Sequence, residues 1–198
     1  MRLLQNIGFA FTISALFLHC QSAPNQASQV ATDVPAAVSA VPVVTAAESE
    51  MAGTADGPLQ YVKDKNADGT DKSLEQAMAE FKGKVVYIDF WASWCGPCKA
   101  EFPFSKTLHQ KLESNGVVFL YVSMDQDEAS WKKGVNKHQM AGYHFYPTEA
   151  QREAMYYKYK VEGIPRYMIA DKKGNVVNPD APRPSQGSEV ESQIKRLL

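Results

Sequence analysis

The sequence predicts an α/β domain: a central mixed sheet flanked by helices on both faces, after a disordered N-terminal tether. Three observations carry that prediction. Residues 85–90 and 117–122 are nearly continuous apolar runs, the pattern of strands buried on both faces. Capped stretches of helical periodicity alternate with them. Two short strands joined by a tight turn, Asp171-Lys172-Lys173-Gly174-Asn175, add antiparallel strands near the end.

The elements follow in order. The N-terminus places Arg2 before an apolar run over residues 7–18, about a dozen residues long and the size of a signal-peptide core. Residues 1–19 are therefore expected to direct export, and no stretch is long enough for a permanent membrane helix. Residues 20–57 are rich in Ala, Val, Ser, Thr and Pro, with no aromatic and no Lys or Arg. Such a segment cannot form a core and reads as a flexible linker spanning roughly 35 Å on average. Its four acidic residues give it a charge of −4, whereas residues 58–198 carry 20 basic and 18 acidic residues.

Within residues 58–198, residues 59–62 read as a strand. Ser73 with Gln76 forms a capping-box pattern, and Leu74, Ala77, Met78 and Phe81 share one helical face that Gly83 ends. A helix is predicted from about Pro97 to Ser114, broken at Gly116. Asp125 with Glu128 is expected to start the next helix, burying Trp131 and Val135, and Thr148 with Gln151 another. Residues 139–147 read as an aromatic-rich loop. Arg166 to Ala170 is a strand, Val176-Val177 its hairpin partner, and Ser188 with Glu191 is expected to cap the last helix.

Composition narrows the function classes. With 198 residues, 44% hydrophobic and 22% charged, the chain suits one globular domain with residues to spare. A net charge of −1 gives no reason to expect a nucleic-acid partner. Three cysteines are too few for a disulfide-stapled mini-protein.

The chemistry is concentrated in Asp89-Phe90-Trp91-Ala92-Ser93-Trp94-Cys95-Gly96-Pro97-Cys98-Lys99. A strand runs into a helix whose first turn carries two thiols. The thiolate is the nucleophile in disulfide exchange, and a helix N-terminus favours negative charge. Cys95 is expected to be exposed there, with Cys98 more buried one turn in. Gly96 permits the tight turn, and Pro97 is pre-set for a helix start. Asp89 interrupts an apolar run, so burial should raise its pKa and suit it to shuttle a proton for Cys98.

Three other uses of the thiols fit less well. Zinc would need two more ligands at suitable spacing, and His109, His138 and His144 form no recognisable pair. A structural disulfide closing so small a ring stabilises little. The segment also lacks the Thr-x-x-Cys setting of a thiol peroxidase. Asp64 to Glu75 matches the spacing of a calcium loop, but a strand before it, Asp71 at a usually apolar place and the charge of Lys72 favour a hairpin-type loop.

The segment resembles the thioredoxin family, whose signature it matches nearly throughout. Lys99-Ala100-Glu101-Phe102-Pro103 and Gly163-Ile164-Pro165 narrow the resemblance to the exported, membrane-attached TlpA/ResA-like branch. The resemblance covers residues 58–198 and implies a thioredoxin fold with no cofactor beyond a redox-active Cys95–Cys98 disulfide. It further implies that Asp89 is the family's buried aspartate and that Glu101, on the helix surface, shares its proton role. Pro165 is expected to be a cis proline facing the dithiol and preventing metal capture. The Ile164 backbone would then pair with substrate, with Trp94 over the nucleophile and Gly96 and Pro97 beside it. Arg166 departs from the usual Thr.

The expected activity is reduction of disulfide-containing protein substrates, with electrons from a membrane thiol donor. Apocytochrome c or general periplasmic disulfides are the substrates the family suggests. Cys20 resembles the lipid-modified cysteine of bacterial lipoproteins, which would anchor the domain to a membrane in the periplasm or cell envelope. The competing functions are a disulfide oxidant or isomerase, and a redox-inert tethered binding module.

Overall fold

The computed structural model describes residues 59–198. The expected signal segment, Cys20 and almost all of the linker lie outside the described residues. The elements are β1 (Leu59–Tyr61), α1 (Leu74–Ala79), β2 (Val86–Trp91), α2 (Gly96–Leu112), β3 (Val118–Ser123), α3 (Glu128–His138), β4 (Gly142–Phe145), α4 (Glu149–Tyr159), β5 (Arg166–Ala170), β6 (Val176–Asn178) and α5 (Ser188–Lys195).

The sheet order is β1-β4-β3-β2-β5-β6. Strands β1, β4, β3 and β2 run parallel, and β5 and β6 are antiparallel to their neighbours. Alternation along the central strands separates two cores. Val86, Ile88 and Phe90 face α1 and α4, joining Leu74, Met78 and Met155. Tyr87 and Trp91 face the other way, with Leu108 and Leu112 of α2, Trp131 and Val135 of α3, and Val190 and Ile194 of α5. This is the thioredoxin fold.

Both expected capping boxes form, at Ser73–Gln76 and Thr148–Gln151. Two other helix starts differ. The cap of α3 is Asp127, whose side chain accepts from Ser130 N, and Asp125 is instead buried at the end of β3. The α5 helix starts after Gly187 with no side-chain cap, so Ser188 and Glu191 lie in its first turn. Residues 139–147 are not simply a loop, because β4 pairs between β1 and β3. Its short run of Gly, Tyr, His and Phe lacks an aliphatic strand signature, and sheet pairing decides its conformation. Gly142 permits the close approach: its φ is +119°, and a Cβ there would sit 2.9 Å from Phe119 O.

The segment with calcium-loop spacing forms a hairpin closed by an antiparallel bridge between Lys65 and Asp71. The Asp71 carboxylate binds Lys65, and Asp68 Oδ1 accepts from Thr70 N and Oγ1. The other Asp71 oxygen accepts from Thr148 Oγ1 at 3.3 Å.

Candidate functional site

Strand β2 ends at Trp91 and delivers the chain to the first turn of α2. A turn bond from Cys95 N to Ala92 O, 3.0 Å, folds the intervening residues back. Asp125 pins this turn. Its carboxylate accepts from Ser93 N at 3.0 and 3.1 Å, from Ser93 Oγ at 2.7 Å and from Ser123 Oγ at 3.0 Å. Lys99 Nζ donates to Ser93 O from one turn into the helix. Gly134 of α3 also presses on the turn: a Cβ there would lie 2.9 Å from Ser93 Cβ.

Cys95 and Cys98 are joined in a disulfide, with Cα atoms 5.3 Å apart. Cys95 is the N-cap of α2, and its sulfur accepts from Cys98 N at 3.1 Å. Pro97 occupies the first turn as expected. Cys95 was expected at the surface, but only 3% of it is exposed. In the disulfide its sulfur turns inward toward Cys98 and packs with the α2 core. Trp94 is 66% exposed, and Gly96 and Pro97 are exposed too. An apolar outer surface therefore adjoins the dithiol.

The Ile164–Pro165 peptide is cis. Arg166 pairs with Phe90, which puts Pro165 at the end of the sheet where β2 leads into the redox turn. Ile164 is half-buried and packs against the core containing both cysteines. Arg166 is engaged locally, with Nε donating to Pro179 O at 2.9 Å and 3.3 Å from the Asp180 carboxylate.

Asp89 lies beneath α2 in the middle of β2. Tyr121 of β3 and Tyr167 of β5 flank it across the sheet, with His144 of β4 stacked on Tyr121. Both Asp89 carboxyl oxygens are buried without a hydrogen-bond partner. Burial pushes its pKa well above the usual carboxylate range, and the nearby Glu101 adds to the rise. Burial also pushes His144 down, to about 4, opposed by the bond from its Nε2 to Met140 O.

Glu101 departs from the helix-surface expectation: it is 8% exposed. Its carboxylate accepts from Ser185 N and Ser185 Oγ, both at 2.9 Å. The physical reason is a segment distant in sequence. The 3-10 turn Pro184–Gln186 packs on α2 and covers the side chain. Among the described residues no cluster of three His, Cys, Asp or Glu side chains could hold a metal.

Sequence reasoning missed Ser185, the clamping role of Asp125, and the tyrosines beside Asp89. Tyr121 carries the same signal as Asp89, a polar group inside an apolar strand. Ser185 carries none, since 84 residues separate it from Glu101.

A family model described as thioredoxin-like matches residues 83–176. A thiol-disulfide oxidoreductase ResA from Bacillus thuringiensis subsp. konkukian is 26% identical over 122 residues, 61% of this chain. The chain spans 65% of that relative's length. A crystal structure of a Bacteroides vulgatus protein assigned as a thiol-disulfide oxidoreductase is 36% identical, with a TM-score of 0.55. That match covers 68% of this chain and 89% of the other. A Chlorobium tepidum structure assigned as the thiol:disulfide interchange protein DsbE is 28% identical, with a TM-score of 0.51, over 61% of this chain and 84% of its own.

Proposed function

The chain belongs to the thioredoxin-like family, and from that premise we propose that it is an exported thiol-disulfide oxidoreductase that reduces protein disulfides. The observation that carries the reading is the Cys95–Cys98 disulfide at the N-terminus of α2, with the Cys98 amide aimed at the Cys95 sulfur. An amide donor and the helix dipole both stabilise a thiolate at Cys95. Either redox state fits one backbone, because the two residues lie in the same turn.

In the reduced protein the Cys95 thiolate attacks a substrate disulfide. A Cys95–substrate bond forms, and the first substrate sulfur leaves as a thiolate. Cys98 then gives its proton to a carboxylate and attacks Cys95. The mixed disulfide breaks, the second substrate sulfur leaves, and two electrons have passed from the dithiol to the substrate. Asp89 is assigned as the proton acceptor for Cys98, and Glu101 is its electrostatic neighbour. Trp94, Gly96, Pro97 and the Ile164–Pro165 segment form the substrate surface. The Ile164 backbone, at the bend before the cis proline and outside the sheet, is the segment assigned to pairing with a substrate strand.

Gly-Pro between the cysteines favours the reducing direction, with a potential near about −270 mV as for thioredoxin. Export through residues 1–19, lipid attachment at Cys20, a periplasmic workplace and a membrane thiol-electron donor complete the proposal. The ResA and DsbE names of its relatives are the ground for counting cytochrome c maturation among the outlets.

The test is reduction of an insulin-type disulfide by wild type and Cys95→Ser, with a measured potential. Wild-type turnover, lost in the variant, with a potential close to thioredoxin's is the expected result. Turnover only in the oxidising direction, or peptide binding with no exchange, overturns it. A Cys98→Ser variant should retain natural partners as mixed disulfides through Cys95. Membrane-extracted protein lacking a lipid on Cys20 would remove the anchor from the proposal.

A further inference from the structure

Two buried carboxylates, Asp89 of β2 and Glu101 of α2, are chemically alike and differently bonded. Asp89 has both oxygens buried and unpartnered. Both Glu101 oxygens are occupied, each accepting from Ser185. The donors come from a strap, residues 179–186, that is fixed independently of Glu101. Tyr87 Oη donates to Pro182 O at 2.7 Å, Ala181 N to Tyr167 O at 2.9 Å, and Arg166 Nε to Pro179 O at 2.9 Å. Ser185 therefore presents two donors at a position set by the sheet.

We infer that Ser185 is a positioning residue for the dithiol chemistry: its amide and hydroxyl hold both oxygens of Glu101, so the proton exchanged with Cys98 resides on Asp89. A proton on either Glu101 oxygen would set an O–H against a Ser185 donor there and weaken the bond to the other oxygen. A buried carboxyl with no donor facing it is best left protonated. The two environments push the pair's roles apart, one holding the proton and the other the fixed acceptor.

The inference rests on the proposed redox role of the cysteines and deepens it. The thiolate of an external dithiol attacks Cys95 Sγ. The Cys95–Cys98 bond breaks, its electron pair leaves on Cys98 Sγ, and that sulfur takes the proton of Asp89. The donor's second thiolate then attacks the donor's own bound sulfur, forming the donor's disulfide and releasing the Cys95 thiolate. The reverse sequence, with a substrate disulfide, returns the Cys98 proton to Asp89.

The groups facing the pair are known from each packed element. Tyr87 of β2, Tyr121 of β3 and Tyr167 of β5 couple electrostatically to Asp89, and Arg183 of the strap couples to Tyr167. Ser105 of α2 lies 3.2 Å from the Tyr121 hydroxyl, and His144 of β4 stacks behind Tyr121. Ser185 alone among these supplies donors to Glu101 in the hydrogen bonds of the described residues.

The experiment is a carboxyl 13C NMR titration of the oxidised full chain, alongside the pH profile of disulfide reduction. In wild type the Asp89 signal follows the proton. In Ser185→Ala, with one charge-assisted hydrogen bond to Glu101 lost, the Asp89 titration should move by about tenfold in proton concentration, and the pH profile should move with it. Ser185→Thr should restore both. Should the Ala variant not fold, Ser185→Gly removes the same hydroxyl. In a Glu101→Gln background the Ala substitution should leave the Asp89 titration unmoved. The inference is overturned if the Asp89 titration is unaffected by loss of the hydroxyl, or if Ser185→Ala shifts Asp89 equally with and without Glu101. Expected carboxyl behaviour in a protein inert toward every disulfide would instead sink the proposed function and leave the carboxyl assignment standing.

Discussion

The two faces of the sheet are made from alternating residues of the same strands, yet they differ in kind. Against α1 and α4, β2 contributes Val86, Ile88 and Phe90, and β3 contributes Val118, Leu120 and Val122. Every one of them is apolar. Against α2, the same strands contribute Tyr87, Asp89 and Trp91, and Phe119 and Tyr121. That face holds the disulfide and the unpartnered carboxyl. A dry face supplies stability without polar cost, so the opposite face can hold a buried acid that disfavours folding when charged. The redox turn is then fixed from the side, by Asp125 of the β3 end and by α3.

The largest expected effect on the chemical face is from Cys95→Ser, which should abolish disulfide reduction in a coupled insulin assay while leaving the far-UV spectrum unchanged. Retained turnover would break the contrast at once. On the dry face, Phe90→Ala should cost about 3–5 kcal/mol in urea unfolding, because the residue is fully buried and leaves a cavity. Its folded fraction should exchange disulfides at the wild-type rate. A smaller loss would mean that this face is not the stabilising one.

The next effect is acid sensitivity. His144 is neutral in the fold and pushed down to about 4, against 6.5 for the free group. The unfolded chain binds the proton first, so stability is whole above about 6.5 and falls as the pH drops toward about 4, by on the order of 3 kcal/mol. Denaturant midpoints across that range should fall in wild type and fall less in His144→Gln.

Asp89 works in the opposite sense. Its folded pKa is raised above 3.8, so its contribution is whole at acid pH and is lost as pH rises through the folded value. Asp89→Asn should therefore be more stable than wild type at about pH 8, with the gap closing on acidification. The same variant should slow the Cys98 step about a hundredfold, in single-turnover mixing with a disulfide. Stability gained together with rate lost would sharpen the comparison; rate loss without the gain would not. The smallest effect is on α1, where Ser73→Ala removes a capping box and should cost about 1 kcal/mol with no change in exchange rate.

Much of this was legible in the chain. The β2 and β3 strands, both capping boxes, the Pro97 helix start and the closing hairpin depend on residues near one another in sequence. Helical period, side-chain reach to the nearest amides and turn chemistry are local, so they can be read without the fold. The pairing of the cysteines and the burial of Asp89 belong with these, since each follows from three or four neighbouring positions.

What tertiary structure decided are the relations between distant segments. The Gly142–Phe145 stretch became a strand because β1 and β3 stood on either side of it. Asp125, placed as well as Asp127 to cap α3, was turned inward by the donors of Ser93. The Cys95 sulfur was drawn under the surface by its bond to Cys98, and Glu101 was covered by a turn 84 residues away. A hydrogen bond between remote segments has no periodicity and no spacing. It exists only once the sheet has brought both ends to one place, which is why the environment of the two carboxylates had to wait for the folded molecule.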